Sequence, residues 1–545
     1  MTLRYFIFLL AGGWLMQTPP ATAQQPSPAL PPDAPVQTAR TELLLEAGDS
    51  EVHVQALPVD STVVLLLGRE RRLSGKTDYS FQRYDHTLHL RQETPLTIPD
   101  EFSFVRMCAE GTTVYALFSS RHTPGRLLAV AYNGRLAQTH VQQFDTKLSR
   151  EVVELKALDG HLFATVLLND QLHVTALLLD VATGQMQYLP SVYEPLPTQL
   201  TFVADAATRR AEYVLSQTNG RKSRLLLKQL TDKGQLVSSE FVQAESERSL
   251  ITAQLSPPQD TTARLLMGTY SLRGPDYAQG LFATDLRPSG QTPAGTRPPL
   301  RFYDFLHLKH FFDYLKPRRQ AQLRQRVARR LARSVAPVRW HYRLLLHELL
   351  PQANGGYVLV AEVYTPHYRY SNYGNYSGPY SPYGNQFYSP YSSYSGYGGY
   401  GNSRIFDGYQ TTHALVCGFD RGGNLVWDNI FVVENLRRSE LEEAVRLQPL
   451  GDGRYVLAYL DENKLRYKVI NRADNAPNDQ HVPIQTAPAP DIPPTERATE
   501  RATETTQADL LPWYGTRFVA SGYQHVRVEH GHDRNVFFLN SVAFH

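Results

Sequence analysis

Cysteine is nearly absent: Cys108 and Cys417 are the only two in 545 residues, too few for a disulfide framework. Both fall in strand-like runs, Phe104 to Cys108 and His413 to Phe419, where a small hydrophobe suits burial. A single bridge between them is the alternative in an oxidising compartment. Neither sign of charge is in excess, since 55 Lys and Arg against 52 Asp and Glu leave a formal +3. That balance argues against nucleic acid as a partner. No apolar run approaches the ~18 residues of a membrane-spanning helix, so no transmembrane segment is expected. Nucleophile elbow, phosphate-binding glycine loop, zinc-protease helix and EF-hand loop are all missing, and the chain calls for no cofactor. His530-Gly531-His532-Asp533, beside Glu529, holds ligand-type residues. A glycine between polar residues after Val526 to Glu529 is what a hairpin turn requires, however, and the spacing fits no closed metal site.

What is present begins with a leader. Arg4, an apolar run from Tyr5 to Met16 and Ala21-Thr22-Ala23 before Gln24 read as a secretory signal over residues 1–23, cleaved after Ala23. The run has no cysteine after it, which excludes a lipid anchor attached there. Residues 24–40 are rich in Pro and Ala and poor in large apolar side chains, the composition of a linker. The mature chain is therefore expected to be secreted, in the periplasm, on the outer surface or in the medium.

Beyond the linker, one turn recurs. Asn133-Gly134-Arg135-Leu136 is followed by Thr183-Gly184-Gln185-Met186, Lys233-Gly234-Gln235-Leu236, Ser289-Gly290-Gln291 and Gly422-Gly423-Asn424-Leu425, with glycines 50, 50, 56 and 133 apart. Two insertions account for the long last interval. A period near fifty residues is that of a propeller blade, and Phe102 to Phe144 parses as four short strands between turn residues. Leu177-Leu178-Leu179 and Leu225-Leu226-Leu227 are apolar on both faces, as in sheets covered on both sides. The spacing predicts an all-β fold over 41–545, a β-propeller of about seven four-stranded blades, with six to eight compatible. Thr41 to Glu46, or the run from Asn535 to Phe544, would close the ring.

Three segments interrupt the array. Residues 301–335 have a helical pattern broken at Pro317. Leu323, Val327, Leu331 and Val335 recur every four positions, and Arg318, Arg319, Arg324, Arg326, Arg329, Arg330 and Arg333 cover the rest without one acidic residue. Residues 473–512, with Thr-Glu-Arg-Ala twice in tandem from Thr495 to Ala502, read as a disordered loop. Residues 366–402 are almost all Tyr, Gly, Ser, Pro and Asn. Tyrosine gives rigid amphipathic contact area at low entropic cost, so Tyr370, Tyr373, Tyr376, Tyr380, Tyr383, Tyr388, Tyr391, Tyr394, Tyr397 and Tyr400 are the candidate binding residues, for an envelope protein or a glycan. The basic helix over 318–333 is a candidate for peripheral contact with an anionic surface or partner. The bland readings are a tether for the first and a solvated helix packed across a blade for the second.

The order Phe302-Tyr303-Asp304-Phe305-Leu306, basic helix, Tyr342-Arg343-Leu344-Leu345-Leu346-His347-Glu348, tyrosine-rich stretch, Phe406-Asp407-Gly408-Tyr409, His413-Ala414 and Leu425-Val426-Trp427-Asp428-Asn429 resembles a family of uncharacterised secreted proteins of Bacteroidota-type bacteria. The resemblance covers about a quarter of the chain. It implies a bacterial source and an envelope location, and no functional residues. Read from the residues alone, Arg343, His347, Glu348 and His413 are the weak catalytic candidates: if the strand carrying the first three is the innermost of its blade, they would point into the central channel, with His413 and Asp407 approaching from the other side of the tyrosine-rich stretch, and the cluster would offer acid, base and charge. The expected function is a non-enzymatic binding or scaffold module, with a polysaccharide-active hydrolase or lyase as the alternative.

Overall fold

The computed structural model describes residues 33–545, apart from 46–49, 72–75, 148, 169–172, 190–197, 206–207, 219–221, 245–246, 258–263, 273, 287–298, 334–337, 371–403, 475, 479, 487–499 and 529–532. The signal region, most of the linker, Tyr373 to Tyr400 and the His530-Gly531-His532 turn lie outside them.

Short alternating strands separated by turn residues pair with their sequence neighbours into eight antiparallel sheets. In chain order the blades span 50–96, 102–145, 149–188, 198–242, 249–304, 343–438 and 446–483. The eighth is built from Glu500–Pro512, Arg517–Val528, Arg534–Ala543 and, from the other end of the chain, Val36–Leu44. First strands lie beside one another around the ring, and that of the eighth blade returns to that of the first. They form the innermost layer. The ring is fastened by the antiparallel register that runs from Val36↔Ala543 to Leu44↔Val536. Arg534 bonds Glu42 at 3.0 Å across this seam, and Trp513 Nε1 donates to the Thr62 carbonyl at 3.1 Å, tying the eighth blade to the first.

The core is a series of layers between blades. Leu177 and Leu179 pack between the second and third blades, whereas Leu178 packs between the third and fourth. Leu225 and Leu227 face one neighbour and Leu226 the other in the same way. Alternation of period two thus serves two apolar surfaces at once. Phe81 stacks on Tyr132 at 4.7 Å and Phe163 on Phe202 at 5.2 Å, each pair bridging adjacent blades. Full burial of one such ring contributes roughly 1.5–3 kcal/mol.

The recurring turn joins the third and fourth strands of its blade. Gly184, Gly234 and Gly423 have φ of 74°, 73° and 77°, the left-handed region that glycine enters without penalty. They are also tight against the preceding blade. A Cβ on Gly184 would meet Gln142 Nε2 at 2.5 Å, and one on Gly234 would meet Gln187 Nε2 at 2.5 Å. Tyr303 of the fifth blade donates to the Gly423 carbonyl at 2.8 Å. The repeat seen in the sequence is therefore an inter-blade latch.

Eight blades replace the expected count of about seven, at the edge of the compatible range. The segment 473–512, read as a disordered loop, supplies Gln480–Pro483 and Glu500–Pro512. Among the described side chains of the latter, only Thr505 and Leu510 are buried, so its ladder to Arg517–Val528 holds it in place of an apolar face. The linker expected over 24–40 gives its last residues to Val36–Leu44. Of the insertion at 301–335, Arg301–Asp304 is the outer strand of the fifth blade, and the α-helix is confined to Pro317–Ala332, opening at Pro317 as its fixed φ favours. Cys108 and Cys417 are unpaired. No helix among the described residues is long and apolar enough to cross a membrane.

Candidate functional site

Two regions gather polar or aromatic groups beyond what packing needs. The first is the inner ring. Bulges between Phe104 and Arg106 and between Val152 and Glu154 interrupt the first strands of the second and third blades, the device by which a strand re-aims a side chain. Lys156, two residues on, pairs with Glu348 of the sixth blade, three places away around the ring. Arg106 lies 3.5 Å from Glu440 and 3.7 Å from Glu442, on the link between the sixth and seventh blades. Ion pairs thus reach across the channel.

Burial pushes the Glu154 carboxyl up to about 7, with Glu348 and Glu443 adding to the rise and Lys156 and Arg106 opposing it. This group can hold a proton near neutral pH. Burial works against the charge on Lys156, but Glu348, Glu154 and Glu443 outweigh it and keep its pKa above the ordinary value. Beside them His347 Nε2 lies 2.9 Å from Glu362 Oε1, which also accepts the backbone N–H groups of Ala444 (2.7 Å) and Val445 (2.8 Å). Burial would raise the Glu362 carboxyl, yet the hydrogen bond and charge of His347 and these N–H donors hold it below the usual range. Burial would lower His347, but Glu443 and Glu362 hold it above its usual range. The pair fastens the sixth blade to the start of the seventh. Removing one partner from such a buried pair costs about 3–5 kcal/mol.

The four catalytic candidates are not brought together. His347 and Glu348 stand at the channel, the one buried in its pair and the other bound to Lys156. Arg343 lies over the Tyr277 ring at 5.3 Å and lines a cavity of about 20 Å³ with Thr252, Asp276 and Tyr364, room for one water. His413 is in neither place. It stacks on Tyr314 at 4.2 Å, edge-on to Phe311 and Tyr342, in the aromatic layer that the fifth-to-sixth insertion lays over the blade. Burial alone lowers its pKa to about 3. Sequence reading missed Arg106, Glu154, Lys156, Glu362 and Glu443. The available signal was Glu154 and Lys156 at period two within the otherwise apolar run Val152 to Leu158 of the first strand.

The second region is an arm on the sixth blade. Its second, third and fourth strands, Tyr357–Tyr370, Arg404–Phe419 and Leu425–Arg438, run 14, 16 and 14 residues, where the corresponding strands of the first five blades run 3 to 10. The inner strand pairs only as far as Arg343↔Tyr364, and beyond it the ladder continues to Tyr370↔Arg404. Tyr364, Tyr409, Phe406 and Tyr368 meet in successive edge-to-face contacts of 5.6, 5.1 and 5.8 Å. Tyr368 is 43% exposed and Ile405 42%. His367 and Arg369 flank Asp407 at 3.4 and 3.9 Å. This ladder leads directly into the tyrosine-rich segment, of which Tyr370 ends the paired strand. Among the described residues no group of His, Cys, Asp and Glu is placed to hold a metal ion.

The fold defines an eight-bladed all-β propeller. No known protein family is matched by the chain, and no curated protein matches it in sequence. Among solved structures it is similar to the polysaccharide lyase Uly1, at 10% identity over 80% of this chain and 89% of that one, with a TM-score of 0.38. It is also similar to the β-propeller domain of the Trilobed protease from Pyrococcus furiosus (6% identity, 81% and 97% covered, TM-score 0.34). A further likeness is to prolyl oligopeptidase B from Galerina marginata (8% identity, 89% and 55% covered, TM-score 0.37). Likenesses at this level assign no activity.

Proposed function

We propose that this chain is a secreted, non-enzymatic propeller of the bacterial envelope whose sixth blade binds a protein or glycan. The observation that carries the reading is the arm: strands prolonged past their blade present an aromatic ladder that runs from buried Tyr364 through half-buried Tyr409 and Phe406 to exposed Tyr368, at the root of a segment built of Tyr, Gly, Ser and Asn. Edge-to-face rings fix the ladder's shape before a partner arrives, which lowers the entropic cost of binding. The catalytic alternative is weaker because Arg343, His413 and the channel pair His347 and Glu348 occupy three separate environments.

Two variants test the arm: one with residues 371–403 replaced by a short turn, and one carrying Tyr368→Ser with Phe406→Ser. Both leave the inter-blade layers intact and should melt like the wild type. A partner cross-linked from envelope extract by the intact chain, and lost at least tenfold by both variants, is the expected result. Equal capture by all three proteins would overturn the assignment.

A further inference from the structure

The helix Pro317–Ala332 carries arginines that oppose its own stability. It has no acidic residue in its first turn, where Arg318 and Arg319 oppose the helix dipole. Arg326 lies three and four residues before Arg329 and Arg330, like charges that repel across neighbouring turns, although the latter two stand in the last turn, where the dipole favours cations. Among the described residues none of the helix arginines makes an ion pair with a carboxylate, although the molecule carries 52 acidic residues. Among the described residues Arg324 is the one helix arginine whose side chain has a hydrogen bond to the body of the protein, 3.0 Å to the Lys309 carbonyl. A merely solvated face would be served equally well by the Glu and Lys mixtures common on surface helices.

The apolar side of the helix is already used. Val327 is 5% exposed, and it packs with Leu323 on the layer of Phe311, Phe312 and Trp340 between the fifth and sixth blades. A helix lying in a membrane interface must turn its apolar face outward; here that face is turned into the protein. What remains outward is charge. Arg318, Arg319, Arg324, Arg326, Arg329 and Arg333 are exposed, spread over about 20 Å at 1.5 Å per residue. With the whole chain close to neutral, this attraction is local to one stripe.

We infer that this stripe is a docking surface for a linear acidic polysaccharide, whose sulfate or carboxylate groups recur along the chain and accept the paired N–H donors of guanidinium. It is independent of the aromatic arm, so either surface can fail without the other.

The test uses the full chain and heparin as the sulfated probe, with dextran as the neutral control. Calorimetric binding should be measurable at 50 mM salt and roughly 60-fold weaker at 200 mM, the slope of about −3 expected for some four charge contacts. Replacing Arg319, Arg326, Arg329 and Arg333 together by Gln keeps helix propensity and should abolish heparin binding while leaving the melting temperature unchanged or higher. Retained binding in that variant, no binding by the wild type at 50 mM salt, or equal binding of dextran would each overturn the proposal. Tighter binding to phosphatidylglycerol vesicles than to heparin at matched charge would overturn it in favour of a membrane surface.

Discussion

His413 shows how one buried polar side chain makes stability depend on acid. Its Nδ1 lies 3.0 Å from Thr412 Oγ1, while Nε2 is buried with no hydrogen-bond partner among the described residues. The folded protein therefore holds the imidazole neutral, with a pKa lowered to about 3 from the ordinary 6.5. Between those values this one site binds a proton in the unfolded chain and not in the folded chain, so its contribution to stability is complete above about pH 6.5 and falls as the pH drops toward 3. The loss is at most about 1.4 kcal/mol per pH unit. His413→Phe preserves the stacking on Tyr314 and removes the orphaned nitrogen. It should be neutral or stabilising at pH 7 and flatten the acid limb; thermal melts from pH 7 to 4 would show the two proteins diverging as the medium becomes more acid. The residue's position was not legible in the sequence. Period two assigns His413 a face of its strand, but a distant insertion decides what covers that face.

At the scale of the element, the inter-blade turn makes a sharper claim than a hairpin would. Gly160 and Gly234 both have positive φ, 77° and 73°, but a Cβ at Gly160 meets nothing within 4 Å whereas one at Gly234 meets Gln187 and Leu189. Gly160→Ala should cost only the backbone term of about 1 kcal/mol. Gly234→Ala must also displace Gln187, whose Nε2 donates to the Lys233 carbonyl at 2.8 Å, for about 2 kcal/mol in all. Melting temperatures of the two variants would rank them, and an equal loss would mean that the latch contributes nothing. The turn was legible because its residues are dictated locally, by φ and by the need to lack a side chain. The strand Glu500–Pro512 was not, because its Thr, Glu and Arg satisfy the sheet through backbone hydrogen bonds that leave no hydrophobic pattern to read. For the same reason the arm was visible only as its composition. The lengths of its strands, which lift the aromatic ladder past the blade, depend on pairing partners that no local pattern reveals.

For the whole molecule, closure rests on one strand borrowed from the far end of the chain. Deleting residues 33–44 would leave Arg534–Ala543 as an open edge and strip Arg534 of Glu42. Such an edge is a template for pairing with other chains. The truncated protein should melt lower and form dimers or larger species in size-exclusion chromatography, and a synthetic peptide of residues 33–45 added in trans should restore the monomer. A monomeric, unshifted truncation would show that the ring holds without it. The seam also has a temporal side. Val36–Leu44 is made early and its partner strand some 490 residues later, a wait of about 25 to 100 s at ordinary rates of synthesis. During that interval seven blades can stack in order while the ring cannot shut. Completion of the chain is itself the signal that seals it, and a prematurely ended product is left with an open, adhesive seam.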